Sequence, residues 1–102
     1  MRALLDKDPV IVRTLDRLWT RLGPDAFDVV DHWEDDPIAV GIASPRNHGM
    51  LAYLAAYDDG FHVELETPPV PGDDFPYQVA GRHSDLNFEQ LVDVVRKHLA
   101  RA

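Results

Sequence analysis

Residues 50–66, MLAYLAAYDDGFHVELE, constrain this chain more than any other stretch. Two strand-like runs flank Asp58-Asp59-Gly60, and glycine at the third place supplies the positive φ that a tight hairpin demands. The second run alternates, with Phe61, Val63 and Leu65 on one face and His62, Glu64 and Glu66 on the other. The first run is largely apolar on both faces, Leu51, Tyr53, Ala55 and Tyr57 against Met50, Ala52, Leu54 and Ala56. A strand of that kind belongs in the middle of a sheet, with a neighbour on either side.

Helices are predicted at the two ends. Asp8-Pro9 starts the first, because Asp caps free amides and Pro at the first helical place gives up no hydrogen bond. Ile11, Leu15, Leu18 and Leu22 form one apolar stripe, and Gly23-Pro24 ends it. In the last helix Asn87 is the cap and Gln90 stands at the capping-box place, while Leu86 can staple to Leu91. Phe88, Leu91, Val92, Val95 and Leu99 are its buried stripe, and Arg96, Lys97, His98 and Arg101 complement the carbonyl end.

Between the helices, Phe27 to Glu34 alternates as a strand, with Asp31 on the wrong side or in a bulge. Ile38, Val40 and Ile42 form the next strand. Its other face carries only Ala39, Gly41 and Ala43, small residues that suggest close approach by a helix or, less favoured, a ligand. Residues 44–49, SPRNHG, read as a hairpin loop, the proline-rich residues 67–76 as a stiff exposed connection, and 77–82 as a short final strand. Ser84 and Asp85 are assigned to the turn before the last helix.

The order is α-β-β-β-β-β-α. Short links between consecutive strands favour an antiparallel meander, since parallel neighbours need long crossovers. The expected fold is therefore a two-layer α+β domain spanning residues 1–102, a sheet of about five strands with the N- and C-terminal helices packed on it.

Charge narrows the function. Residues 25–74 hold twelve acids and one base, Arg46, a charge of −11; residues 1–24 carry +2 and residues 75–102 carry +1, for −8 in all. An acidic middle opposes the neutralisation of phosphates that nucleic-acid binding requires. No apolar run reaches the ~20 residues of a membrane span, and residues 1–10 lack a signal-peptide core. Without cysteine there are no disulfides, thiol nucleophiles or thiolate metal sites, which fits a cytoplasmic protein.

Few residues suggest chemistry. His62, Glu64 and Glu66 share a strand face to which His32 and Glu34 could be added, and such groups can bind metal or act as a base. One alternating strand does not make ligands converge, so the solvated face is the better reading and no metal or cofactor is expected. His83-Ser84-Asp85 has triad residue types, but adjacent in sequence and without a nucleophile elbow. Pro68-Pro69-Val70-Pro71 reads as a rigid connector, and Trp19 and Trp33 as core residues before interface anchors.

The leading expectation is a non-enzymatic protein-binding module, of inhibitor, immunity or chaperone type, presenting an acidic sheet and loops to a basic protein partner. Its contact residues are Trp33, Glu34, Asp35, Asp36, Arg46, Asp58, Asp59, Glu64 and Glu66. One alternative is a small-molecule binder or minor metal-assisted enzyme using the His62/Glu64 face. Another is a homodimer joined through an apolar strip at Leu51, Tyr53 and Tyr57.

Overall fold

The computed structural model describes residues 7–30, 35–72 and 74–101. Helix α1 runs Pro9–Leu22, and the Asp8 carboxylate accepts from the Val10 N–H at 2.9 Å. Its buried face is Ile11, Thr14, Leu15 and Leu18. Thr14 satisfies its hydroxyl by donating to the Val10 carbonyl at 2.6 Å, which lets a polar residue sit in that stripe. Gly23 closes the helix at φ +115°, its N–H on the Trp19 carbonyl. Trp19 then stacks on Phe27, ring centroids 4.5 Å apart, so its place beside the leucine stripe serves packing within the chain.

Five strands follow: β1 (Asp28–Val29), β2 (Ala39–Ser44), β3 (Asn47–Tyr57), β4 (Gly60–Thr67) and β5 (Gln78–Leu86). They pair antiparallel in the order β1-β2-β3-β4-β5, the predicted meander with β3 at its centre. Helix α2 (Phe88–Leu99) closes the chain with the predicted capping box: Asn87 accepts from the Gln90 N–H at 2.8 Å, and Gln90 accepts from the Asn87 N–H at 2.9 Å.

Both helices cover one face of the sheet. Ile11, Leu15, Leu18, Leu91, Val92, Val95 and Leu99 meet Val40, Ile42, Ala52, Leu54, Val63 and Leu65 in one core. Burying each large side chain contributes about 1.5–3 kcal/mol, so this layer dominates the stability.

Four expectations are corrected here. The helices do not lie on Ala39, Gly41 and Ala43. Those residues alternate to the opposite face, and the helices take the face of Val40 and Ile42, where more apolar area is available to bury. Among the described residues the first strand is narrower than expected, without Phe27: its ladder holds Asp28 and Val29, continued by a Val30 N–H bond to the Gly41 carbonyl. Residues 31–34, with Asp31, His32, Trp33 and Glu34, lie outside the described residues. The last strand is longer, absorbing His83, Ser84 and Asp85 and leaving only Asn87 before α2. Finally, Leu51 is buried and Tyr53 half-buried while Tyr57 alone is exposed, so there is no continuous exposed apolar strip along β3.

Two glycines hold the sheet's connections. Gly60 takes φ +138° after the Asp58-Asp59 turn, and a Cβ there would come 2.8 Å from the Leu86 carbonyl oxygen. Gly49 admits the proline-rich connection, since its Cβ would come 2.7 Å from Pro68 Cγ.

Candidate functional site

Strand register decides which acidic residues meet. Ala39 pairs with Ala55, Tyr57 with Gly60, and Phe61 with Leu86, so the start of β2, the β3–β4 turn and the end of β5 share one end of the sheet. The Asp8 N–H donates to the Pro37 carbonyl at 2.7 Å, which brings the start of α1 to the same end. Asp35, Asp36, Asp58, Asp59 and Asp85 are therefore gathered there from two connections and the end of β5.

These carboxylates do different things. Asp36 builds its own loop: it accepts from the Ile38 N–H at 3.1 Å and the Tyr53 hydroxyl at 3.2 Å, and its carbonyl accepts from Lys7 Nζ at 2.7 Å. Asp35, Asp58, Asp59 and Asp85 are exposed and form no ion pair with lysine or arginine among the described residues. Three acids on other surfaces are compensated by arginine or lysine, while Asp16, Asp25 and Asp74 have no such pair among the described residues. Glu64 accepts from Arg82 at 2.8 Å, Glu89 from Arg21, and Asp93 from Arg96 at 2.7 Å and Lys97 at 2.9 Å. Those hydrogen bonds hold the Glu89 and Asp93 carboxyls below their usual range.

The sheet face proper is less available than its sequence suggests. Glu66 is only 7% exposed, which corrects its place among the contact residues. Glu64 is held by Arg82 and so does not combine with His62. Arg46 sits in the β2–β3 turn, where Ser44 pairs with Asn47, at the opposite end of the sheet from the acidic group. Trp33 and Glu34 lie outside the described residues.

Asp85 is the member that sequence reasoning passed over as a turn residue. It holds φ +58°, an uncommon backbone state for a residue with a side chain, beside a bulge in β5. Gly60 leaves room for this segment, so Asp85 arrives next to the hairpin. One Asp85 oxygen, one Asp59 oxygen and a ring nitrogen of His62 all lie within 4.8 Å of one another. Tyr57 packs edge-on against the His62 ring, with centroids 4.5 Å apart. One imidazole and two carboxylates are a donor set suited to a divalent transition ion. The signal in the sequence was Asp-Leu just before the capped helix, but only cross-strand pairing places it.

A hollow of about 150 Å³ lies over His62, Glu64 and Ser84, smaller than the several hundred Å³ usual for a small-molecule site. His83, Ser84 and Asp85 are successive residues of β5, not a converged triad. No protein-family profile, curated protein or solved structure matches this chain.

Proposed function

We propose that the protein is a non-enzymatic binding module that receives a basic protein partner at the acidic end of its sheet. The supporting observation is clustering: Asp35, Asp58, Asp59 and Asp85 share one end of the sheet and have no arginine or lysine ion pair among the described residues, while Glu64, Glu89 and Asp93 are paired with arginine or lysine. Clustered charge of one sign steers a complementary partner and sets the association rate. The reading moves the contact surface from the sheet face to the loops at its end, and it places the protein in the cytoplasm, in keeping with the lack of cysteine. No helix among the described residues is long and apolar enough to cross a membrane.

The test is capture of a partner from the native cell, followed by association kinetics at several salt concentrations. The combined variant Asp35→Lys, Asp59→Lys should slow association by about tenfold or more and flatten its salt dependence. Asp36 is unsuitable for this test because it also supports Tyr53 and Ile38. Partner binding indifferent to both reversal and salt refutes the module.

A second reading is favoured by one observation, the convergence of Asp59, His62 and Asp85. A metal-assisted role would use those three side chains in place of the His62/Glu64 pair. Titration with Mn²⁺ or Zn²⁺ followed by calorimetry decides it: saturable heat lost in His62→Ala supports the reading, and no heat removes it.

A further inference from the structure

The end of the sheet opposite the acidic group has the reverse character. The β2–β3 turn, the C-terminal end of α1 and the C-terminal end of α2 enclose a hollow of about 390 Å³. Arg21, Arg46 and Arg96 line it with a single acid, Asp25, so three guanidinium charges meet one carboxylate, a lining charge of +2. Its apolar wall includes Ala26 and Leu99. A cavity of this size, mostly apolar with a few convergent charged groups, has the make-up of a small-ligand site.

The three arginines are not equivalent. Arg21 uses Nη1 on Glu89, and Arg96 uses Nη2 on Asp93, so each keeps further N–H donors for another acceptor. Arg46 forms no ion pair among the described residues. Its turn is pinned from beneath, because its backbone N–H donates to the hydroxyl of the buried Ser44 at 3.2 Å. The carbonyl ends of both helices oppose an anion here. Arg21 and Arg96 stand in the last turns of those helices and offset that field, which leaves Arg46, facing the opposite charge of Asp25 on the same lining, as the guanidinium with no ion pair among the described residues.

We propose that this hollow binds a small organic anion with an apolar body, its carboxylate or phosphate received by Arg46 between Arg21 and Arg96. The body lies against Ala26 and Leu99. The site is independent of the acidic end, so it stands or falls separately from the partner-binding reading.

The test is titration of the ¹⁵N-labelled full chain with phenylacetate, phenyl phosphate, inorganic phosphate and neutral phenylacetamide, following amide shifts. Phenylacetate or phenyl phosphate should give saturable shifts confined to residues around the β2–β3 turn and the C-terminal end of α2. The tighter of the two identifies the headgroup. Inorganic phosphate and phenylacetamide should each bind about tenfold more weakly, lacking the body and the charge respectively. Arg46→Glu, in an exposed turn, should weaken the better ligand by at least about tenfold, and so should Ala100→Glu at the rim; Arg13→Glu, on the outer side of α1, should not. No saturable shift with either phenyl anion overturns the proposal. Binding unchanged by both Arg46→Glu and Ala100→Glu, or equal affinity for phenylacetamide, also overturns it.

Discussion

The imidazole of His98 donates from Nε2 to the Glu66 carbonyl across 2.9 Å, tying the last turn of α2 to the far end of β4. His98 is only 2% exposed, and its Nδ1 makes no hydrogen bond of normal geometry. The neutral ring is accommodated: one nitrogen donates to a carbonyl, and the other stays bare. Protonation would place a charge on a buried ring, and the loss of its hydration opposes that.

This arrangement sets a pH dependence. Burial pushes the His98 pKa below its ordinary value of about 6.5, against the opposing pull of the Glu66 and Leu51 backbone. Between the folded value and about 6.5 the unfolded chain therefore binds more protons, so stability falls as pH drops through that window and is fully present above it. Urea unfolding at pH 8 and pH 5 should show a loss in the native protein that is smaller in His98→Gln, where no ionisable ring is buried. An equal loss in both would assign the acid sensitivity to other groups.

Leu54 is fully buried at the centre of the sheet, opposite Val63 on β4 and Val40 on β2. Leu54→Ala should cost about 2–5 kcal/mol in urea unfolding, through lost burial and the cavity left between sheet and helices. A cost below 1 kcal/mol, on the order of a surface change, would contradict the packing described.

Gly60→Ala meets two penalties together, a backbone at φ +138° and a methyl group 2.8 Å from the Leu86 carbonyl oxygen. A destabilisation of more than about 1 kcal/mol is expected. Shifts in amide resonances should extend to Asp85 and Leu86, because the clash lies at the end of β5 and not in the hairpin.

Asn87→Ala removes one half of the capping box and leaves the Gln90 amide without its acceptor. About 1 kcal/mol of stability should be lost, and Asn87→Asp should retain most of it. Thermal unfolding of the two variants distinguishes loss of the cap from a general effect of the position.

Asp85 and Asp59 are like charges brought together by the fold. At pH 8 and low salt, Asp85→Asn should raise the melting temperature, since asparagine keeps the left-handed backbone and removes repulsion. The gain should shrink as salt is added. A gain independent of salt would point to backbone conformation as its source.

Both helices, the central hairpin and the meander order were legible because their signals are local. Asp8-Pro9, Asn87 with Gln90, and the Asp-Asp-Gly turn each act within a few residues, and the stripes at Ile11–Leu22 and Phe88–Leu99 repeat with the helical period. The small residues at Ala39, Gly41 and Ala43 misled for a definable reason. Alternation shows that a strand has two unlike faces, and it is silent on which face a helix will cover. The end of β5 was misread because Ser84, Asp85 and Asn87 all favour turns in isolation, whereas pairing with β4 overrides that preference.

Near-neighbour chemistry, written in caps, turns and periodicity, is enough to specify the elements and their succession in this protein. Distant pairing decides the rest: that Asp85 joins Asp59 and His62, that Glu66 is buried while Asp35 and Asp58 stay in water, and that Arg21, Arg46 and Arg96 surround one hollow. Those outcomes depend on strand register, bulges and the choice of face for two helices. Each is a free-energy balance over residues far apart in the chain, so no short stretch of sequence carries it.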